Sequence, residues 1–373
     1  MEENMAKTGG KPEDIKSMTL PELEAFVTQL GEKPFRARQL YEWMHVRLAS
    51  SFDEMTNLSK ALREKLSRSA SLVLCRPVQV LTSRQDGTCK YLFSLSDGNV
   101  IESVLMRYHH GNSVCISSQV GCAMGCRFCA STIGGRVRSL RPSEMLEQIY
   151  RIQALSGERV SNVVVMGTGE PLDNYENLLR FLRLLTDENG LHISQRSVTV
   201  STCGLTDKIL ALAQEKLQIT LALSLHAVTQ EKRQELMPVA KRYPLEQVLS
   251  ACRAYFEATG RRVTLEYSLV KGGNDTMEDA DKLGALAAGL HAHVNLIPVN
   301  PVKERSYERP DRAHVEAFQK RAAAAGASVT VRREMGTDIG GACGQLRRGY
   351  QMKNNAGMGP ETAAPSGSKE IDA

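Results

Sequence analysis

The sequence predicts an α/β protein built on an open, partial (β/α)6 barrel of the TIM type, preceded by an N-terminal helical domain and a small antiparallel β element. From residue 113 onward, six short β-type runs alternate with helical stretches. Such alternation is typical of parallel strands joined by crossover helices. Six units are too few to close a barrel of eight strands, so an open barrel is expected.

The composition excludes several classes of protein. The chain has 373 residues, a hydrophobic content of 42%, a net charge of +5 and nine cysteines. We find no run of about 18 apolar residues and no secretory signal layout, so we expect a cytoplasmic protein with no membrane partner. Thiols stay reduced in that compartment, which favours metal-binding or catalytic cysteines over a disulfide framework. The mild positive charge permits an RNA partner without indicating one.

The N-terminal part is predicted to contain a flexible start, residues 1–16, and a helical accessory domain, residues 17–71. Thr19 can cap a first helix, with Pro21 in its first turn. Apolar residues at helical spacing predict a second helix and its buried face: Ala37, Leu40, Tyr41, Met44 and Leu48. A third helix carries Lys60, Arg63, Lys65 and Arg68. These cations could bind RNA phosphates, although a solvated helix face is their more common role.

The remaining chain divides by its periodicity. Residues 72–112 are predicted to form an antiparallel β-hairpin element, because Asp86-Gly87 and Asp97-Gly98 are strong turn signals. Residues 113–349 form the predicted barrel with a catalytic C-terminal segment, and residues 350–373 a disordered tail without periodicity. The predicted barrel strands are residues 113–118, 162–166, 197–201, 218–224, 263–270 and 293–299, with a last candidate at 328–332. Helical stretches include residues 143–155, 174–185, 246–259 and 277–289.

The most informative motif is a triplet of cysteines, Cys122, Cys126 and Cys129, within a run of small residues. Four cysteines normally hold a [4Fe–4S] cluster, so three leave one iron open to a small molecule. A zinc knuckle or a redox pair is the alternative, but zinc needs a fourth ligand, and His109 and His110 lie far upstream. The spacing, with an aromatic before the third cysteine, resembles the radical S-adenosylmethionine (SAM) signature. In that superfamily SAM chelates the open iron and is cleaved by one electron to a deoxyadenosyl radical.

Polar residues follow several predicted strands, where a barrel of this type places its ligand contacts. Gly169 and Glu170 follow the second strand, in a segment similar to the motif that contacts the SAM amino group in the same superfamily. Further candidates at strand ends are Ser201, Ser224, Leu225, His226 and Asn300. Each polar residue alone would be an ordinary strand-end residue, whereas together they favour a nucleoside-sized pocket.

Two cysteines outside the triplet are candidate nucleophiles. Cys115 lies on the first barrel strand, and Cys343 lies in a glycine-rich segment that can bend into a site. The other four are predicted to be buried structural cysteines, namely Cys75, Cys89, Cys203 and Cys252.

Together these residues resemble the RlmN/Cfr family of radical SAM RNA methyltransferases, over nearly all of residues 20–350. The resemblance implies one [4Fe–4S] cluster on the cysteine triplet. It implies SAM contacts at Gly169, Glu170, Ser201, Ser224, Leu225, His226 and Asn300. It also implies that Cys343 is methylated during the cycle, that Cys115 is the second catalytic cysteine, and that Glu102 is the general base.

The activity implied by the resemblance is methylation of carbon 2 of an adenine in the peptidyl transferase centre of 23S rRNA, and of an adenine next to the tRNA anticodon. Two SAM molecules are consumed for each methyl group delivered. Cys115 then attacks the sulfur of Cys343, and the resulting disulfide bond must be reduced. An electron donor such as flavodoxin or ferredoxin is implied as a partner, and we expect a monomer.

Three alternatives remain open at the level of sequence. Methylation of carbon 8 would use the same catalytic residues, although the N-terminal region and the residues around Cys343 favour carbon 2. A non-catalytic iron–sulfur RNA-binding protein would not need Cys343. A radical SAM enzyme acting on a small molecule gives no reason for Cys115 and Cys343 to accompany the triplet.

Overall fold

The computed structural model describes residues 12–300, 302, 304–340 and 344–355. The N-terminal elements are β1 (Glu13–Asp14), α1 (Leu20–Gln29), α2 (Phe35–His45), α3 (Lys60–Ser69) and β2 (Ala70–Ser71). The backbone N–H of Thr19 donates to the Glu22 carboxylate at 2.8 Å, which fixes the start of α1. The predicted face of α2 is buried at Ala37, Leu40, Tyr41 and Met44. Leu48, predicted to share this face, lies beyond the end of the helix, half-buried and with a left-handed φ of +58°.

An antiparallel hairpin pair follows, formed by β3 (Arg76–Thr82), β4 (Cys89–Ser94) and β5 (Val100–Tyr108). The predicted hairpin element suggested a separate sheet, but these strands do not form one. β5 pairs with the next strand, β6 (Gly111–Cys115), so the hairpins extend the barrel sheet directly. The turn between β5 and β6 is too short for β6 to join a different sheet, and β5 is largely buried.

Beyond β6 the strands and helices alternate as predicted. The further strands are β7 (Gln119–Gly121), β8 (Arg136–Ser139), β9 (Val160–Val165), β10 (Val198–Thr202), β11 (Thr220–Ser224), β12 (Thr264–Leu269), β13 (His293–Pro298) and β14 (Ser328–Val331). The further helices are α4 (Pro142–Ser156), α5 (Tyr175–Thr186), α6 (Thr206–Gln214), α7 (Gln230–Leu236), α8 (Leu245–Thr259), α9 (Met277–Gly289), α10 (Arg312–Ala324) and α11 (Gln345–Asn355).

One sheet organises the barrel. Its strand order is β14-β13-β12-β11-β10-β9-β6-β5-β4-β3, and the strands from β6 to β14 in this order run parallel. In the part of the chain that the structure covers, β14 and β3 remain the two edges, so the barrel is open. The partial barrel predicted from the alternation is therefore confirmed. β7 and β8 form a small two-stranded sheet of their own.

Helix α11 corrects one expectation. It extends through residues 350–355, which the sequence predicts to be part of a disordered tail. The helix forms because a distant side chain, Glu102, caps its first turn, a contact that local periodicity does not reveal. Within the described ranges, no helix combines the length and apolar character that a membrane crossing requires.

Candidate active site

A cavity of about 330 Å³ lies where the parallel strands end, and its size suits a small ligand. Its walls come from the strand ends of the barrel and from residues 122–129, here called the cysteine loop. The predicted site residues that line it are Cys115, Cys122, Cys126, Cys129, Gly169, Glu170, Ser201, Ser224, His226 and Asn300. The fold thus brings residues from six separate segments of the chain to one cavity.

The cysteine loop is held by backbone hydrogen bonds at its base. The N–H of Cys122 donates to the carbonyl of Gly135 at 3.1 Å. Glycine is required just before it, because Gly121 has a φ of +78° and a Cβ there would lie 2.0 Å from the Gly135 oxygen. At the other end, the Thr132 hydroxyl lies 3.0 Å from the carbonyl oxygens of Cys126 and Cys129. These contacts between protein groups hold the loop in place.

The thiols of the cysteine loop fit an iron–sulfur cluster better than a single metal ion. Burial raises the pKa of Cys122 to about 12 and raises the pKa of Cys126 as well, so bound iron must replace their protons. No group of three ligating side chains in the described residues converges on one metal ion. A [4Fe–4S] cluster does not need such convergence, because each thiolate binds a different iron. Soft sulfur donors also suit iron–sulfur chemistry.

Glu170 offers a buried carboxylate to the cavity. Its oxygens accept hydrogen bonds from the N–H of Cys203 at 2.8 Å and of Leu172 at 3.1 Å. Burial nevertheless raises the pKa of Glu170, since no described cation forms an ion pair with it. Gly169 has a φ of +112°, and a Cβ there would lie 2.6 Å from Gln119 Cβ, so only glycine brings the backbone this close.

His226 is held as a neutral hydrogen-bond donor. Its Nδ1 accepts from the N–H of Ser268 at 2.9 Å, so Nε2 carries the proton. Burial lowers the pKa of His226 to about 3. The ring packs edge-on against Phe128, with centroids 4.9 Å apart, and Phe128 directly precedes the third cysteine of the loop. His226 also has a left-handed φ of +56°, stabilised by a hydrogen bond from Asn274 to its carbonyl.

The remaining predicted SAM contacts differ in how they lie. The Ser201 hydroxyl donates to the carbonyl of Val165 at 2.9 Å, which leaves its oxygen able to accept. Ser224 and Asn300 line the cavity, and Asn300 is at its exposed rim. Leu225 is fully buried and does not line the cavity. Its side chain belongs to the core, so only its backbone could approach a ligand.

Two of the three predicted catalytic residues are described, Cys115 on β6 and Glu102 on β5. Cys115 is buried and lines the cavity. Glu102 does not line it; its carboxylate accepts from the N–H of Gly344 at 2.9 Å and from the N–H of Arg347. Cys343 lies outside the described residues. No disulfide joins two described cysteines, and the expected disulfide between Cys115 and Cys343 involves a residue outside them.

Several lining residues were not predicted from the sequence. Glu266 is a buried carboxylate on β12 that lines the cavity and accepts from Asn295 at 2.9 Å. A lone acid in the apolar run 263–270 was the available signal. Cys203, predicted to be structural, is buried but also lines the cavity. Residues 332–335 line its mouth, and no periodic pattern marks them.

An open barrel with three cysteines in a loop at its strand ends defines a radical SAM enzyme. Consistent with this class, residues 116–284 match the family described as the Radical SAM superfamily. Residues 13–72 match a second family, described as the ribosomal RNA large subunit methyltransferase N-terminal domain.

Similar proteins extend over almost the whole chain. A protein of Lachnospira eligens, named probable dual-specificity RNA methyltransferase RlmN, is 62% identical over 90% of this chain and 96% of its own length. A protein of the same name from Lachnoclostridium phytofermentans is 58% identical over 91% of this chain and 96% of its own. The crystal structure of a radical SAM methyltransferase from Sphaerobacter thermophilus has a TM-score of 0.86 and 42% identity, covering 90% of this chain and 99% of that one.

The chain therefore belongs to the RlmN family of dual-specificity RNA methyltransferases. Members are radical SAM enzymes, so its cofactors are a [4Fe–4S] cluster and SAM.

Proposed function

We propose that this RNA methyltransferase transfers a methyl group to carbon 2 of an adenine in 23S rRNA, at the peptidyl transferase centre, and to an adenine next to the tRNA anticodon. The observation that carries the proposal is a cavity shared by the three loop cysteines, Cys115 and all the SAM-contact candidates except Leu225. The dual specificity in the names of its relatives supports two RNA substrates. Such an enzyme acts where its RNA is, in the cytoplasm, as a monomer.

The residues proposed to bind the cofactors are those that line the cavity. Cys122, Cys126 and Cys129 would hold the cluster, which with bound SAM supplies one-electron chemistry and needs an electron donor such as flavodoxin or ferredoxin. Glu170 would accept the SAM ammonium group. His226 would donate from Nε2 at any pH near neutrality, because its pKa is about 3.

Cys343 is proposed as the methyl carrier, through an S-methylcysteine. Two described contacts of its chain neighbour support this role. The N–H of Gly344 donates to Glu102 at 2.9 Å. A Cβ on Gly344 would lie 3.0 Å from the N of Ser131, in the segment after the cysteine loop. Gly344 thus lies between the base candidate and the segment that follows the cysteine loop.

Glu102 and Cys115 are proposed to complete the reaction. Glu102 would take the proton that leaves carbon 2, and the ring would regain its aromaticity once the unpaired electron also leaves, with the cluster as its acceptor. The Cys115 thiolate would attack Sγ of Cys343 and break the carbon–sulfur bond to the RNA. The electron pair of that bond would stay on the released carbon, which takes up a proton to become the methyl group, while the two sulfurs are left as a disulfide. An external dithiol must then reduce that disulfide. Strands β5 and β6 pair so that Cys115 lies opposite Val104. This arrangement supports the proposal that Glu102 and Cys115 act together from adjacent strands.

The N-terminal domain is proposed to grip RNA. Its α3 cations are partly engaged within the protein, since Lys65 lies 2.7 Å from Glu32 and Arg63 lies 3.7 Å from Asp53. The exposed side chains of α2 are better candidates: Phe35 is half exposed, and the Arg36 guanidinium lies 4.8 Å from its ring centroid. Aromatic and arginine planes of this kind stack on unpaired bases.

The proposal is tested by mass spectrometry of digested RNA after anaerobic turnover of the reconstituted enzyme. We expect 2-methyladenosine in both 23S rRNA and tRNA fragments. With Cys343→Ala we expect no methylated product, while 5'-deoxyadenosine still forms. The appearance of 8-methyladenosine would instead assign carbon 8. Methylation by Cys343→Ala at the wild-type rate would exclude the carrier role and overturn the mechanism.

A further inference from the structure

Arg233, on helix α7, is the largest fully buried side chain of the described protein. It does not line the cavity, so it is not a candidate for contact with SAM. It forms no ion pair with any described carboxylate, although arginine carries its charge at all physiological pH values. A buried charge without a partner costs several kcal/mol, which is about the size of a whole domain's free energy of unfolding. The buried charge of Arg233 therefore requires a compensating charge.

The hydrogen bonds of Arg233 explain where its side chain lies, but they do not balance its positive charge. Its Nη2 donates to the carbonyl of Cys203 at 2.6 Å, and its Nε donates to the carbonyl of Leu225 at 3.3 Å. Its Nη1 donates to the carbonyl of Tyr243 at 3.4 Å. Cys203 and Leu225 directly follow β10 and β11, so the guanidinium bridges two strand ends beside the cavity. Carbonyl dipoles lower the cost of burial, but they leave the unit charge unbalanced.

Helix α7 is docked on the cysteine loop at its far end. The carbonyl of Leu236, at the end of α7, accepts from the N–H of Arg127 at 2.9 Å. Pro238, just beyond, would lie 3.6 Å from a Cβ on Gly125. The end of α7 and the segment just after it therefore lie against the loop on both sides of Cys126. Burial lowers the pKa of Arg233, and the thiols of Cys203, Cys126 and Cys252 oppose that shift electrostatically.

The geometry points to Arg233 as the buried counter-charge of the iron–sulfur cluster, which raises the reduction potential of the cluster. A [4Fe–4S] cluster with three thiolates is an anion, and reduction adds another negative charge. A fixed cation in a low-dielectric surrounding stabilises the reduced form more than the oxidised form. Net charge around the cluster is one of the known determinants of its potential. The inference concerns the cofactor of the family and does not depend on which adenine carbon is methylated.

The test is a redox titration of the reconstituted holoenzyme, followed by the electron paramagnetic resonance signal of the reduced cluster, without RNA. In Arg233→Gln and Arg233→Met we expect the reduction equilibrium constant to fall at least tenfold, which is about 59 mV toward more negative potential for one electron. Arg233→Lys keeps the charge and should lie near the wild-type value. Arg242→Gln is the matched control: Arg242 is exposed, stacks on Tyr243 and is screened by solvent.

The outcomes separate an electrostatic role from a structural one. Unchanged potentials in Arg233→Gln and Arg233→Met would overturn the inference, as would an Arg233→Lys shift equal to theirs. If the neutral variants fail to retain a cluster while Arg233→Lys retains it, the need for the charge is supported. Loss of the cluster in all three variants would assign Arg233 to holding the strand ends alone, and the inference would fail.

Discussion

Burial shifts the pKa values of two ionisable side chains in the cavity in opposite directions. His226 is kept neutral because its pKa falls to about 3, whereas the pKa of Glu170 is raised. A neutral imidazole is a donor that does not repel a cationic ligand. A carboxyl with a raised pKa holds its proton more tightly in the folded state, so its burial destabilises the ligand-free protein as pH rises above the ordinary value of about 4.3. An ammonium partner removes that cost.

At the residue scale we predict that Glu170→Gln weakens SAM binding by about tenfold to a hundredfold, the value of a hydrogen bond to a charged group. Wild-type affinity should fall as pH is lowered through the raised pKa of Glu170, because only the carboxylate attracts the ammonium group. The variant should lose this dependence. Anaerobic calorimetry on the holoenzyme across pH measures both effects.

The control for this prediction is Glu176→Gln, a change at an exposed carboxylate on α5. It should leave affinity and pH profile unchanged. Equal affinity and the same pH profile in Glu170→Gln and wild type would show that Glu170 does not bind the amino group.

The C-terminal helix α11 depends on contacts made far away in sequence. Glu102 on β5 accepts from the N–H groups of Gly344 and Arg347, which caps the helix. Lys90 on β4 lies 3.5 Å from Glu102 and donates to the carbonyl of Gly340 at 2.7 Å. This buried pair therefore holds the chain on both sides of residues 341–343.

At the element scale we predict that Glu102→Gln loosens the first turn of α11. The change removes the charge that balances buried Lys90 and weakens a cap worth about 1 kcal/mol, so the amides of residues 344–349 should exchange at least about fivefold faster. Hydrogen exchange by mass spectrometry measures this. Glu304→Gln is the control, since its ion pair with Arg348 on the same helix is half exposed. Identical exchange in the two variants would contradict the capping role.

The sequence predicted the strand-end residues well, because parallel strands deliver whatever follows them to one edge of the sheet. Glu170, Ser201, Ser224 and His226 were found in this way. It did not predict α11, because its cap comes from a residue more than 240 positions away. Nor did it predict Arg233 or Glu266, since a single charge in a helix or strand looks solvent-exposed until the packing is known. The role of Glu102 came from family resemblance and not from its local pattern.

A buried ion pair joins the N-terminal region of the molecule to the barrel. Lys16 Nζ lies 2.6 Å from Glu147 on α4, and both side chains are fully buried. Lys16 also donates to the carbonyl of Val73 at 3.0 Å, and the N–H of Cys75 donates to Glu147 at 3.2 Å. The pair fixes the accessory helices against the catalytic barrel.

At the scale of the molecule we predict that Lys16→Met lowers the free energy of unfolding by about 3–5 kcal/mol, because buried Glu147 loses its fully buried partner and keeps only the ion pair with Arg151 at 3.3 Å. The double variant Lys16→Met with Glu147→Leu should recover most of that loss. Urea unfolding measures both. Lys282→Met, in an exposed pair with Glu278, should change stability by less than about 0.5 kcal/mol. A double variant no more stable than the single one would show that the pair contributes specific hydrogen bonds and not charge balance.

The cap on α11 has a consequence for biogenesis. During translation the sheet, the cysteine loop and Arg233 are synthesised before the final helix, because Gly344 follows Glu102 by 242 residues. Every residue that lines the cavity precedes α11 in the chain, so iron can be delivered to the cysteine loop before the final helix docks on Glu102. Maturation of the metal centre and completion of the C-terminal helix are therefore separate steps in time.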